Sequence, residues 1–215
     1  ITHDSETSEF LFQNVQRFYR NLPINKGKPE NQMSPRHDWK SGTRMRFPDI
    51  DSYIYIDSAK SDNIGAGHTL SAAHLSEIAK WSDRKGRQLF ADITQTVPMN
   101  SYITAESTPQ GKGGLFDEIY QDAKRGINGF KAFFYPWWWN PEYVAGDEFL
   151  TEEIAENIAS ILGQSTASYL KEEKSFAEVN KLSPAQIAFR RMKVGEIKLL
   201  FFQEYPENDI DCLLQ

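Results

Sequence analysis

Apolar positions along the chain recur with two periods, about 3.6 and 2, and the switches between them mark the elements. "SETSEFLFQNVQRFYRNLP" sets Phe10, Leu11, Val15, Phe18, Tyr19 and Leu22 at helical spacing between a Ser/Thr/Glu start and Pro23, which predicts one amphipathic helix. Residues 24–42 are polar, with two prolines and two glycines, and read as a loop. "TRMRF" and "SYIYIDSA", around "PDID", alternate and are aromatic, which predicts two paired strands. A glycine-containing loop, "SDNIGAGH", leads into "TLSAAHLSEIAKW", where a small apolar run ends on Ser76 and Glu77. Beyond it the pattern predicts a helix over "RQLFADITQTV", a strand over "NSYITAES", a turn at "TPQGKGG" and a helix over "LFDEIYQDAKRG" closed by Gly126. "GFKAFFYPWW" reads as a buried strand. After Pro141, "TEEIAENIASILGQ" and "SPAQIAFRRMKVGE" read as helices and "KLLFFQEYP" as a short strand.

Strands alternating with helices imply an α/β sheet with helices on its faces. Composition agrees: 215 residues, 40% apolar and 13% aromatic, are enough for a packed core. The single cysteine, Cys212, cannot form an internal disulfide, which points to a reducing setting. No apolar run nears the roughly 20 residues needed to span a bilayer. "ITHDSETSEF" lacks the basic start and apolar stretch of a signal peptide, and Ile1 is not an initiator, so the chain reads as a fragment. A net charge of −6 argues against a module that grips DNA by itself through counterion release.

Two segments carry candidate chemistry. A carboxylate at the C-terminal end of a strand, Glu77, stands where α/β proteins bind ligands, and a serine beside it can hydrogen-bond a magnesium-bound water without adding charge. The same residues also read as a helix N-cap, Ser76, followed by a first-turn acid, Glu77. "AESTPQGKGGLF" runs strand, polar tip, glycine turn, helix, an order that can present amides to an anion but equally describes a tight turn. No G-x-x-x-x-G-K-[ST] occurs, the four histidines show no metal-ligand spacing, and there is no G-x-S-x-G elbow. His74 reads as a sheet-facing structural residue. "YPWWWNPEY" reads as a buried strand end or as a stacking platform.

Together these segments resemble the ATPase domain of the tailed-phage terminase large subunit, from about His3 to Pro206. "SAAHLSEIAKW" is similar to the Walker B segment and "SYITAESTPQGKGGLFDEIYQDAKRG" to the coupling motif. "FKAFFYPWWWNPEY" is similar to the strand that follows, and "LSPAQIAFRRMKVGE" with "FFQEYP" to the closing lid. The resemblance implies a P-loop NTPase-like (ASCE-type), mainly parallel sheet flanked by helices. It would lack its first strand and phosphate loop, with a partial ATPase core at 1–145 and a small lid subdomain at 146–215.

It further implies that Glu77 activates the attacking water and that Ser76 stands on the magnesium side. Ser107 and Thr108 would sense the γ-phosphate beside Glu106, and Gly65 and Gly67 would match a glycine-rich loop. Arg190 and Arg191 would sit on the lid, approaching phosphate or remaining as solvated helix charges. The cofactors implied are ATP and Mg2+. The partners implied for the intact protein are double-stranded DNA, the portal protein, the terminase small subunit and further copies in a ring, with no membrane, in the cytoplasm of a bacterial host. Without the phosphate loop and its lysine, which the family carries upstream of Ser5, hydrolysis by these 215 residues is expected to be poor or nil. The competing expectations are a catalytically inactive interaction fragment of the same fold and a helicase-like ATPase fragment.

Overall fold

Asp4 opens the first helix, α1 (Ser5–Asn21), by accepting the Thr7 amide at 2.8 Å. Its buried stripe is Ser8, Phe12 and Tyr19, whereas Phe10 and Phe18 are 61% and 69% exposed. The predicted helix is present, but its core face is rotated from the one its aromatic spacing marks. A computed structural model describes residues 1–61, 64, 69–210 and 212, with the side chains of 39–41 and 83 left aside. These divide into two units, residues 1–107 and 108–215.

In the first unit, three short strands, β1 (Asp38–Ser41), β2 (Arg44–Phe47) and β3 (Ser52–Tyr55), form an antiparallel sheet in the order β1-β2-β3. The predicted pairing of the last two is present, with Met45 opposite Ile54, and β1 adds an edge strand where a loop was expected. Alternation turns Met45 and Phe47 inward, where they pack with Phe12 and Tyr19. A second sheet pairs β4 (Ala72–Ser76) with β5 (Tyr102–Glu106) in parallel, register running from Ala72↔Tyr102 to Ser76↔Glu106. Parallel neighbours need a crossover, and α2 (Asp83–Thr96) supplies it. Leu75, Ile78 and Ile93 are fully buried around this unit of strand, helix and strand. Ile1 lies along the other side of β4, donating to the His74 carbonyl at 2.5 Å and accepting the Ser76 amide at 2.8 Å.

The second unit is helical: α3 (Leu115–Arg125), α4 (Glu152–Ile161), α5 (Thr166–Asn180), α6 (Pro184–Ile197) and the short α7 (Phe201–Glu204). Gly126 ends α3 at φ 69°, a left-handed position that glycine takes without penalty. Ser183 and Gln186 form a reciprocal capping box on α6, which contributes about 1 kcal/mol. Trp137, Ile158, Tyr169, Phe189, Val194 and Phe201 form its core. The division expected at residue 145 falls inside this unit, because Trp137 and Tyr143 pack with Phe189.

Among the described residues the architecture is therefore mixed α/β with two small sheets, and three expectations change. The mainly parallel sheet reduces to the β4–β5 pair, since the other three strands are antiparallel. Within "GFKAFFYPWW", which reads as a buried strand, residues 130–136 enter no ladder among the described residues and lead into a 3-10 turn at Trp137–Trp139. "KLLFFQEYP" is helical, a 3-10 turn followed by α7, with Phe201 fully buried. No helix among the described residues is long and apolar enough to cross a membrane.

Candidate functional site

Parallel pairing sets the tips of β4 and β5 level, so Ser76 and Glu106 are register partners at the C-terminal rim. The chain leaves β4 through Glu77, whose φ of 55° and ψ of 39° lie in the left-handed region. For a residue with a Cβ this conformation costs roughly 1–2 kcal/mol and persists only where the surroundings enforce it. Here the constraint is visible. Ile78, next along, is fully buried, and residues 78–80 form a 3-10 turn closed by the Lys80 amide on the Glu77 carbonyl at 2.8 Å. The Ala79 amide donates to Ser107 Oγ at 3.2 Å, and Trp81 Nε1 donates to the Ser76 carbonyl at 3.2 Å. Strand, turn and the Ser107 hydroxyl together hold Glu77 at the rim.

The expected alternative, with Ser76 as a helix cap, does not hold. Ser76 ends a strand, and α2 begins seven residues later, after Ser82. Ser76 instead serves its neighbour. Glu106 is held below the usual carboxylate range, chiefly by its hydrogen bond with His74 and also by the Ser76 hydroxyl and the Glu77 amide, against the opposing effect of burial. His74 Nε2 lies 3.3 Å from Glu106 Oε1, with both side chains about half exposed, so His74 is a rim residue rather than a sheet-packing one. The negative charge that position 76 lacks stands one strand over, at 106.

Glu77 Oε2 is enclosed without a hydrogen bond of good geometry, yet the Lys80 ammonium is 2.9 Å away. The two observations agree: the contact is an ion pair, poorly aligned as a hydrogen bond. In this arrangement the Lys80 ammonium covers that oxygen. Among the described residues no group of three or more His, Cys, Asp or Glu is placed to hold a metal by itself.

The remaining expected residues are placed as follows. Thr108 is half-buried and opens the second unit. Gly65 and Gly67 lie outside the described residues. The glycine turn before α3 has Gly111 and Gly113 at φ 79° and 82°, and the Gly113 amide donates to Asp117 Oδ2 at 2.9 Å. A carboxylate of the turn's own helix thus occupies a donor that an anion would need, as in an ordinary capped turn.

Arg190 and Arg191 are 8% and 6% exposed, which overturns their reading as solvated charges. Arg190 donates from Nε and Nη2 to Glu207 at 2.6 and 3.1 Å, and from Nη1 to the Tyr169 hydroxyl at 3.4 Å. Arg191 donates to both Glu173 oxygens and to the Phe149 and Thr151 carbonyls. Every guanidinium nitrogen has a protein acceptor, so in this arrangement neither arginine is available to phosphate. Burial opposes the Arg190 charge but its Glu207 bonds raise its pKa on balance, and the Glu173 bond raises that of Arg191. Tyr169, pushed up by burial, donates to Glu173 within the same network.

In the "YPWWWNPEY" segment, Trp137 is core, while Trp139 is exposed against Tyr135 at 5.7 Å. Spacing missed Glu173, Glu207 and the role of His74. Only His74 carried a local signal, two residues before Ser76 on the same strand face. Neither a protein-family model nor a curated protein matches this chain.

Proposed function

We propose that this chain is part of the ATP-hydrolysing motor domain of a phage or prophage terminase large subunit, of P-loop NTPase-like fold, which drives double-stranded DNA into procapsids. The supporting observation is the rim of the parallel pair, where Ser76–Glu77 and Glu106–Ser107 end adjacent strands level with one another. Magnesium–ATP is the substrate, and its ion neutralises charge developing on the phosphates. Glu77, at the left-handed turn that leaves β4, accepts the proton of the attacking water. Ser76 orients water on the magnesium side and Glu106 supplies the nearby negative charge. Ser107 hydrogen-bonds the turn behind Glu77, so loss of the γ-phosphate at Ser107 or Thr108 bears on the base itself.

The test uses the polypeptide together with its upstream coding sequence. Glu77→Gln is expected to lower kcat by about 10²–10⁴-fold, the usual contribution of a general base, with ATP affinity retained. An unchanged kcat, or an upstream frame without a glycine-rich loop ending in Gly-Lys-Ser/Thr, overturns the proposal.

A second reading, a non-catalytic docking fragment of the same fold, draws support from the Lys80 ammonium lying on Glu77. Lys80→Ala separates the two readings: it frees the carboxylate of a working base, and leaves a docking fragment as inert as before.

A further inference from the structure

Residues 205–209 follow α7 and touch three separate parts of the second unit. Tyr205 stacks on Phe201 at 5.4 Å and meets Phe189 edge-on at 5.5 Å, which seats the start of the segment in the core. The Pro206 carbonyl accepts the Trp137 amide at 3.4 Å, and the Trp137 indole N–H points to Glu207 Oε1 at 3.5 Å. Glu207 receives the paired Arg190 bonds from α6, with only 9% and 11% of the two side chains exposed. Two residues on, Asp209 Oδ2 accepts from two groups of α3, the Tyr120 hydroxyl at 3.0 Å and Lys124 Nζ at 2.6 Å. The Lys124 bond holds Asp209 below the usual carboxylate range, and burial with Asp209 beside it pushes Tyr120 up.

These two attachments differ in kind. The Glu207 end is dry and bidentate, and breaking it would leave a buried guanidinium unpaired, so it acts as a fixed anchor. At the other end Asp209 and Lys124 are 26% and 38% exposed, where water competes for both partners. Two residues of chain span at most about 7 Å. There is little slack between anchor and clasp, and α3 cannot shift with the clasp closed unless the strap moves with it.

We propose that residues 205–209 form a clasp, fixed to α6 through Glu207 and releasable from α3 at Asp209, that joins the helix following the glycine turn to the C-terminal helices as one mechanical unit. The inference does not depend on the nucleotide reading. Closed, the clasp makes α3, Trp137 and α6 respond together. Open, it frees α3 while the anchor and the aromatic core stay intact. Local opening of a part-exposed charge-assisted bond is the low-energy event in such a unit.

The test is native-state hydrogen exchange and NMR of indole N–H signals on the whole chain carrying Asp209→Asn or Lys124→Ala. Lys124→Ala removes a surface group and serves where Asp209→Asn disturbs folding. Exchange of the α3 amides, 115–125, is expected to rise about two- to fivefold, the factor for one part-exposed ion pair. The Trp137 indole signal, assigned by its loss in Trp137→Phe, is expected to shift in both variants although neither mutated residue touches Trp137. Unchanged α3 exchange overturns the clasp. So does faster α3 exchange with a fixed Trp137 signal, because the strap would then carry nothing from one helix to the other.

Discussion

Two charged clusters among the described residues are built in opposite ways. At the rim of the parallel pair, Glu77, Glu106 and His74 are part-exposed, and Glu77 sits in a strained conformation with an oxygen that lacks a well-aligned donor. In the helical unit, Arg190, Arg191, Glu173 and Glu207 are almost entirely buried, and every guanidinium nitrogen is paired. A saturated, dry network has no valence left for a ligand and specifies packing. A wet, strained, incompletely paired one keeps valence to spare, which is the condition chemistry requires. Charge alone does not separate the two; residual hydrogen-bonding capacity does.

Breaking the dry cluster is the largest expected effect. Glu173→Ala leaves the Arg191 guanidinium buried beside the Phe149 and Thr151 carbonyls with its carboxylate gone, and is expected to cost about 3–5 kcal/mol in urea unfolding. The double variant Glu173→Leu with Arg191→Met removes both charges and fills similar volume, so most of that loss is expected to return. If the single variant costs less than about 1 kcal/mol, the network is not dry and the contrast with the rim fails.

That arginine pair also marks where sequence reading stops. Helices came through wherever apolar period and caps coincided, as in α1, α3, α4 and α6. The α5 helix went unread because its buried positions include Glu173, a charge no hydrophobic pattern counts. "GFKAFFYPWW" and "KLLFFQEYP" read as strands because short apolar runs have the same composition in both states. Glu173 and Glu207 lie 18 and 17 residues from their arginines, beyond any local motif, so burial of Arg190 and Arg191 left no trace in spacing. At the rim, by contrast, the signal was local: a strand ending on Ser76–Glu77 and another ending on Glu106–Ser107. Sequence spacing did not show the left-handed backbone at Glu77, since glycine, the usual marker of that conformation, is absent there.

A smaller effect tests whether the rim is held as described. Ser107→Ala deprives the Ala79 amide of its acceptor and is expected to destabilise the first unit by about 1 kcal/mol. Exchange of the Ala79 and Lys80 amides should quicken before that of β4. Equal protection in the variant would mean that water replaces the hydroxyl and that Ser107 does not position the turn.

Glu77→Gly sharpens the comparison from the other side, because its expected sign is reversed. Glycine takes φ 55° without the Cβ clash, a gain of about 1–2 kcal/mol. Set against it are the lost Lys80 ion pair, worth about 0–1 kcal/mol at this exposure, and the greater freedom of unfolded glycine, roughly 0.5–1 kcal/mol. The variant is therefore expected to match or slightly exceed the parent in unfolding midpoint. A carboxylate that can be removed without loss of stability is kept for another reason, whereas a clear drop would make Glu77 a structural residue like Glu173.

The smallest effect concerns Glu106 and has a definite direction with pH. Its pKa is depressed in the folded state, chiefly by His74, so the bonds to its ionised form stabilise the fold above the unfolded carboxylate pKa. That contribution is lost as pH falls through the folded value, when the carboxyl takes up a proton. Glu106→Gln carries no titrating group, so the stability difference between parent and variant should be constant near neutrality and shrink through the acid range. With the His74 and Glu106 side chains 60% and 47% exposed, solvent screening limits the plateau to a few tenths of a kcal/mol, about 0.3. A plateau of several times that size would place the rim among the dry networks and remove the difference in solvation between the two clusters. A difference that grows toward acid would show that Glu106 is paired more tightly when neutral, with His74 no longer the group that holds it.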